Sequence, residues 1–221
     1  MQKIIEGYSH IHYPKSILPI EEVQKRAKDF YENMDERRTV REFSAQPIPR
    51  EVIEDLIMTA STAPSGAHKQ PWTFCVVENL EIKQQIRAAA EQEEYESYTH
   101  RMTEEWLKDL KPLGTDWQKP FLEIAPYLII IFSQSKGSNK EKYYYVQESV
   151  GIAAGFLIAA IHQAGLVTLT HTPSPMNFLK KILNRPDNER PFLLLPVGYP
   201  TNEVYVPDIQ RKKLEDVAVF Y

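Results

Sequence analysis

The chain has 221 residues, of which 43% are hydrophobic and 25% charged, and a formal net charge of -4. This length and balance suit one globular domain with a sizeable core and exclude a disordered chain. A mildly acidic protein has no bulk attraction for nucleic acid or an anionic membrane, and its basic residues fall in short clusters that suit a small anion better than a polymer.

The first 33 residues read as an irregular start followed by a helix that Pro19 opens, with Ile20, Val23, Ala27 and Phe30 on one face. The start lacks the apolar run of a signal peptide. Proline suits a first helical turn, so Pro49 begins a second helix, whose buried stripe is Val52, Ile53, Leu56, Ile57 and Ala60. The turn from Ala63 to Ala67 ends it. Trp72 to Val77 reads as a strand. It holds Cys75, the one cysteine, which excludes an internal disulfide and reads as a small core filler. A charged helix runs from about Glu81 past Glu94. From Tyr95 to Pro120 charges are dense and apolar periodicity weak, so this stretch is expected to be a mobile excursion serving as an active-site lid.

Tyr127 to Phe132 is an isoleucine-rich run expected to be a buried strand. Tyr145 to Gln163 is apolar on most faces, as a central helix should be, and Gly165 caps it. Its apolar stretch, Val150 to Ile161, is shorter than the roughly 20 residues of a membrane span. Leu166 to Thr170 is expected as a strand, Asn177 to Leu183 as a short helix and Phe192 to Val197 as a strand. The tail from Val204 to Tyr221 cannot form its own core. Helices and strands alternate without a repeat, so the class is α+β or three-layer α/β, in a single domain over 1–221. A soluble cytoplasmic protein without membrane or nucleic-acid partners is expected.

Three constellations carry candidate chemistry. Arg37, Arg38, Thr39, Val40 and Arg41 place three guanidinium groups and a hydroxyl within a short run, an anion clamp or a solvated basic turn. Arg211 to Lys213 carries the same ambiguity. Thr62 to His68, followed by Gln70-Pro71-Trp72, is small and glycine-bearing, so its backbone could approach a ligand; an ordinary helix-ending turn is the other reading. Thr170-His171-Thr172-Pro173 follows a strand, where hydroxyls could reach a ligand at the sheet edge or simply close a turn. There is no GxGxxG for a dinucleotide site and no GxSxG nucleophile elbow. The six histidines are dispersed, and no metal site is expected.

The run Arg37 to Arg41, the turn Ala63 to His68, Gln70-Pro71-Trp72, Pro196 to Pro200 and Arg211-Lys212 stand in the order that resembles the nitroreductase superfamily, in particular its iodotyrosine deiodinase branch. The resemblance covers about Arg37 to the C-terminus. It implies an FMN enzyme of the nitroreductase-like α/β/α fold. It also implies an intertwined homodimer with sites at the interface, to which residues 204–221 would contribute an arm. Cofactor contacts would come from Arg37, Arg38, Thr39, Val40, Arg41, Pro64, Ser65, Gly66, Thr170, His171, Thr172 and Arg211. Thr172 would donate to the flavin's central reactive nitrogen, and the Ala67 backbone N–H would hold the substrate phenolate.

The branch grips the amino-acid end of a halotyrosine with a glutamate, a tyrosine four residues later and a lysine just after a tryptophan. Glu94, Tyr98 and Lys119, the last beside Trp117-Gln118, match that pattern, although a charged amphipathic surface helix would explain any one of them. An external electron donor, NAD(P)H or a reductase, is implied. The sequence lacks the membrane anchor expected of the animal members, and His171 stands where the family tends to have threonine. The rival readings are a general nitroreductase or quinone reductase, and a flavin- or halotyrosine-binding protein without turnover.

Overall fold

The computed structural model describes residues 2–13, 16–137 and 139–221. Two compact units divide between Arg37 and Arg38. The N-terminal unit begins with an antiparallel hairpin, β1 (Gln2–Ile5) and β2 (Tyr8–Ile11). Glu6 and Gly7 both take positive φ, 51° and 84°, the turn geometry whose twist matches paired strands. This replaces the irregular start expected from sequence. Glu-Gly is a weak hairpin signal, and neither strand alternates cleanly. Helix α1 (Ile20–Glu36) follows Pro19 as expected, but no residue of it is buried. Its apolar face is largely open, with Phe30 57% exposed.

The larger unit contains, in chain order, α2 (Arg50–Ser61), β3 (Trp72–Val77), α3 (Leu80–Glu96), α4 (Glu104–Leu110), α5 (Phe121–Ile124) and β4 (Tyr127–Gln134). Then come α6 (Val146–Gln163), β5 (Val167–Thr168), α7 (Asn177–Ile182) and β6 (Glu189–Gly198). The four strands form one antiparallel sheet in the order β3-β4-β6-β5. Successive side chains of a strand point to opposite faces, and β4 is apolar on both. Ile129 and Ile131 pack with Ile53, Leu56 and Ala60 of α2 and Val150, Leu157 and Ile161 of α6. Leu128, Ile130 and Phe132 pack on the other side with Ile86 and Ala90 of α3, Phe121 and Leu122 of α5 and Leu179 of α7. Helices on both faces of a central sheet are the expected three layers. Each fully buried Leu or Ile contributes about 1.5–3 kcal/mol, so this double-sided strand anchors the unit.

Several boundaries moved. β6 is longer than Phe192 to Val197 because charged Glu189 and Arg190 also pair, with Gln134 and Ser133. The register shifts between Ile131, which faces Leu193, and Phe132, which faces Pro191. Phe192 is thus an extra residue beside a proline that has no N–H to give the ladder. β5 is only two residues long, although His171 makes a further bridge to Leu194. Cys75 is half-buried rather than fully enclosed. Burial raises its thiol pKa.

The stretch from Tyr95 to Pro120 is more regular than its weak periodicity suggested. α3 runs into a π-helical turn at Ser97–Arg101, then come α4 and a tight turn at Lys111–Leu113 closed by left-handed Gly114, φ 58°. The Thr103 side chain accepts from the Trp106 N–H at 3.2 Å and caps α4. A short helix held by its cap, with no buried residue, leaves little apolar pattern to read. The tail is exposed at Tyr205, Ile209, Leu214, Val217, Val219 and Phe220. No helix among the described residues is long and apolar enough to cross a membrane.

Candidate active site

Glu94 lies in the last turn of α3 and Tyr98 in the π-helical turn after it. Lys119 returns from the far end of the excursion, just before α5. Its ammonium stands 3.5 Å from Glu94 Oε2 and 5.5 Å from the centre of the Tyr98 ring, within cation–π range. It also donates to Thr115 Oγ1 at 3.3 Å and to the Asp116 carbonyl. Tyr98 donates its hydroxyl to the Thr115 carbonyl at 3.3 Å. The three residues expected to grip an amino acid therefore meet in one cluster, with the side chains of Lys119 and Glu94 only 4% and 13% exposed.

Two more polar groups border the cluster. Arg41 donates to the Leu113 carbonyl at 3.4 Å. His171 is buried, with Nδ1 4.0 Å from Glu94 Oε1 and its ring edge-on to Phe121, centroids 5.6 Å apart. Its Nε2 is buried and has no hydrogen-bond partner among the described residues.

Burial governs the charges here. Desolvation holds the Glu94 carboxyl above its ordinary range, and Lys119 only partly opposes this. Desolvation likewise holds the Lys119 ammonium below its ordinary range, with Glu94 opposing. His171 is pushed down to about 3, first by desolvation and then by the positive charges of Lys119 and Arg41, so it is neutral at pH 7. Burial lowers Arg41 and raises Tyr98. A buried ion pair offsets its desolvation only when geometry is excellent. At 3.5 Å, Glu94 and Lys119 fall short of that. A ligand bringing one positive and one negative charge would give each a better partner.

A support that the sequence reading missed fixes Lys119. Glu91 Oε1 accepts from the Lys119 backbone N–H at 2.7 Å and from Arg87 Nε at 2.8 Å. Arg87 also meets Glu123 at 3.3 Å. Lys83 donates to the carbonyls of Glu123 and Ala125, each at 2.9 Å. These contacts staple α3 to α5. Their signal was the spacing Lys83, Arg87, Glu91 and Glu94 along one helix face. Tyr95 packs edge-on against Trp117 at 5.6 Å. Arg101 reaches Glu93 at 2.7 Å and the Ser174 carbonyl at 3.3 Å.

One part of the expected cofactor set, Thr39 and Val40 with the strand that leads to Thr170, His171 and Thr172, gathers at the β5 edge of the sheet. Thr39 bridges Thr168 in parallel, and the Val40 N–H donates to the Thr168 carbonyl at 3.3 Å. The run Arg38–Arg41 therefore lies beside the strand that leads to Thr170 and Thr172. Both threonines are exposed while His171 between them is buried, the alternation an extended chain requires. His171 exchanges backbone hydrogen bonds with Leu194 at 2.9 and 3.1 Å.

In the other expected loop, Pro64 and Ala67 are exposed and Ser65 and Gly66 half-buried. A Cβ on Gly66 would lie 2.8 Å from the Tyr144 carbonyl, so only glycine fits. Ser65 Oγ accepts from the Gln70 N–H at 2.9 Å. Ala67, His68 and Gln70 all take left-handed φ, 49°, 55° and 48°. Non-glycine residues hold such geometry at a cost on the order of 1 kcal/mol or more each, and it clusters at ligand sites. A cleft of about 290 Å³ is lined by Thr39, Arg41 and Glu42, by Pro112 to Gly114 and by Tyr205 to Pro207. Arg37 closes α1 as its C-cap in the N-terminal unit, and Arg211 lies on the exposed tail.

Residues 34–199 match the nitroreductase family model. The chain is 65% identical over 205 residues to the iodotyrosine deiodinase of Haliscomenobacter hydrossis, covering 91% of this chain and 92% of that protein. It is 47% identical to the iodotyrosine deiodinase of Nematostella vectensis, over 97% of this chain and 84% of that one. A crystal structure of oxidized iodotyrosine deiodinase bound to FMN and 3-iodo-L-tyrosine superposes with a TM-score of 0.76 at 34% identity, over 87% of this chain and 98% of the other. The chain therefore belongs to the nitroreductase family and, within it, to the iodotyrosine deiodinases.

Proposed function

We propose that the protein removes halogen from halotyrosines reductively with FMN, converting iodotyrosine to tyrosine and iodide. The carrying observation is the buried cluster of Glu94, Tyr98 and Lys119, a carboxylate, a phenol and an ammonium that already share one site. A general nitroreductase has no need for such a grip.

The residues present fit the cofactor. Arg38 and Arg41 suit a phosphate, since each guanidinium can donate two parallel hydrogen bonds. The Thr39–Val40 backbone and the exposed hydroxyls of Thr170 and Thr172 lie along the same sheet edge. Pro64, Ser65, Gly66 and the His171 backbone belong to the same assignment, as do Arg37 and Arg211. Bound and reduced, FMN supplies the two electrons that, with one proton, replace carbon–halogen by carbon–hydrogen and free halide.

The chain's own part is binding, orientation and exclusion of water. Lys119 leaves Glu94 to take the substrate carboxylate, while Glu94 and Tyr98 take the ammonium and its surroundings. Charge-assisted hydrogen bonds are the stronger kind. The exposed left-handed Ala67 presents its N–H to the phenolate oxygen, where a fixed donor stabilises charge. Thr172 presents its hydroxyl to the flavin ring. Residues 95–120 act as a lid that opens for exchange and closes against water.

The reading includes a homodimer. Its support is the open apolar face of α1, the exposed Ile152 and Phe156 beside Gly151 and Gly155 on α6, and the uncovered arm 204–221. It also includes a cytoplasmic setting and an external reductant, NAD(P)H or a reductase, because no residue of the chain renews electrons at each turnover.

The test is binding and turnover. Flavin fluorescence quenching should show tight binding of iodotyrosine and poor binding of iodophenol. Glu94→Gln and Lys119→Met should each weaken iodotyrosine by roughly 2–5 kcal/mol, because each leaves one charge without its partner. Tyr98→Phe should cost about 1–3 kcal/mol. FMN content should stay constant, and anaerobically reduced protein should release halide from iodotyrosine. Equal binding of both ligands would return the general nitroreductase to first place. Tight binding without halide release would leave a sensor.

A further inference from the structure

The Glu94 carboxylate has two oxygens with different neighbours. Oε2 faces the Lys119 ammonium at 3.5 Å. Oε1 faces His171 Nδ1 at 4.0 Å. The imidazole cannot drift. Its backbone is fixed to Leu194 by two hydrogen bonds, its ring abuts Phe121, and its side chain is 6% exposed. The side chain is thus enclosed next to a buried carboxylate, and its Nε2 has no hydrogen-bond partner among the described residues, a kind of buried polar group that calls for an explanation.

We infer that His171 is a positioning residue for the substrate's ammonium: it holds Glu94 Oε1 with its Nδ1–H, so that Oε2 stays turned toward the incoming cation. This rests on the amino-acid grip proposed above. In the free protein Oε2 is taken by Lys119. Once Lys119 turns to the substrate carboxylate, Glu94 would otherwise be a buried carboxylate with one oxygen unserved. A shift of about 1 Å brings Oε1 and Nδ1 within hydrogen-bond range. A neutral imidazole has one N–H, and placing it on Nδ1 leaves Nε2 as the unprotonated nitrogen. An unprotonated ring nitrogen carries no charge, and a neutral acceptor left without a partner costs far less than a buried ion would. The groups that face His171 are Glu94, Lys119 and Arg41. Glu94 alone among them can accept a hydrogen bond. The same residue sets the exposed direction of Thr170 and Thr172, so the amino-acid grip and the flavin edge share one anchor.

The test compares His171→Asn with His171→Leu in the FMN-loaded protein. The asparagine amide can place an N–H near the position of Nδ1; leucine cannot. Two ligands are titrated by flavin fluorescence quenching: 3-iodotyrosine and its des-amino analogue, 3-(4-hydroxy-3-iodophenyl)propanoate. His171→Leu should weaken iodotyrosine by about tenfold or more, the loss of a hydrogen bond to a charged group, and leave the analogue nearly unchanged. His171→Asn should restore most of the iodotyrosine affinity. Equal losses for both ligands, or no rescue by asparagine, would overturn the inference and make His171 a packing residue. Glu94→Gln run beside them separates the two readings. If wild type and Glu94→Gln bind both ligands alike, the grip itself is wrong. If Glu94→Gln selects against iodotyrosine while His171→Leu behaves as wild type, only the role of His171 falls.

Discussion

Strand β4 and the cluster of Glu94, Lys119 and His171 are both withdrawn from solvent, but by opposite means. β4 is apolar on both faces, and each residue finds apolar partners in α2 and α6 or in α3, α5 and α7. The cluster buries Glu94 and Lys119, which only partly offset each other's desolvation, and His171, whose charged form is disfavoured by both burial and the neighbouring Lys119 and Arg41. The first region stabilises the fold whether or not a ligand is present. The second costs stability that the proposed zwitterionic ligand would offset. Strain and unmet polarity of this kind persist where the surrounding structure over-determines them, which is what a sheet anchored on both faces supplies.

Acid should separate the two regions most. His171 has a folded pKa of about 3, against 6.5 for an unperturbed histidine. A depressed pKa means that stability is fully present above pH 6.5 and is lost as pH falls toward 3, because the unfolded chain takes up the proton first. By about pH 4 the loss is on the order of 3 kcal/mol. Urea midpoints measured from about pH 7 to about pH 4 should fall steeply in wild type and less in His171→Asn. Parallel slopes would mean that His171 is hydrated in solution.

Within the sheet, Ile130→Ala should cost roughly 2–5 kcal/mol of unfolding free energy, as truncation of a fully enclosed isoleucine does. Its effect on iodotyrosine affinity should be small, because Ile130 belongs to the apolar cluster with Ile86, Ala90 and Phe121. A large loss of affinity at full FMN content would show that the two regions are coupled more tightly than their chemistry suggests.

The apolar half of this comparison was legible in the sequence. Runs such as Tyr127 to Phe132 and the stripe Ile53, Leu56 and Ala60 announce buried elements by composition and period. The Glu94, Tyr98 and Lys119 group was legible only through resemblance, since their spacing alone is that of a charged helix surface. What stayed hidden depends on long-range geometry. Helix α4 rests on one cap, the β6 bulge on where Pro191 falls opposite β4, and the burial of His171 on the backbone pairing of an isolated bridge. No local window contains Leu194 and His171 together.

The smallest effect tests how the cluster is held rather than what it binds. Glu91 is not itself expected to meet substrate, yet its Oε1 accepts from the backbone N–H of Lys119, which is, at 2.7 Å and from Arg87 at 2.8 Å. Glu91→Ala leaves that buried N–H unserved and frees the segment before α5, at a cost of about 1 kcal/mol in stability. Affinity for iodotyrosine should drop by a similar amount, roughly fivefold, since Lys119 must then be ordered by the ligand. Glu91→Gln retains an acceptor oxygen for the N–H and should lie between Glu91→Ala and wild type. Iodophenol binding should not change in either variant, because it makes no use of Lys119. Thermal unfolding and fluorescence titration of the two variants give both readings. If Glu91→Ala lost stability while binding iodotyrosine like wild type, the α3–α5 staple would serve the fold alone, and Lys119 would be positioned by Glu94, Thr115 and Asp116.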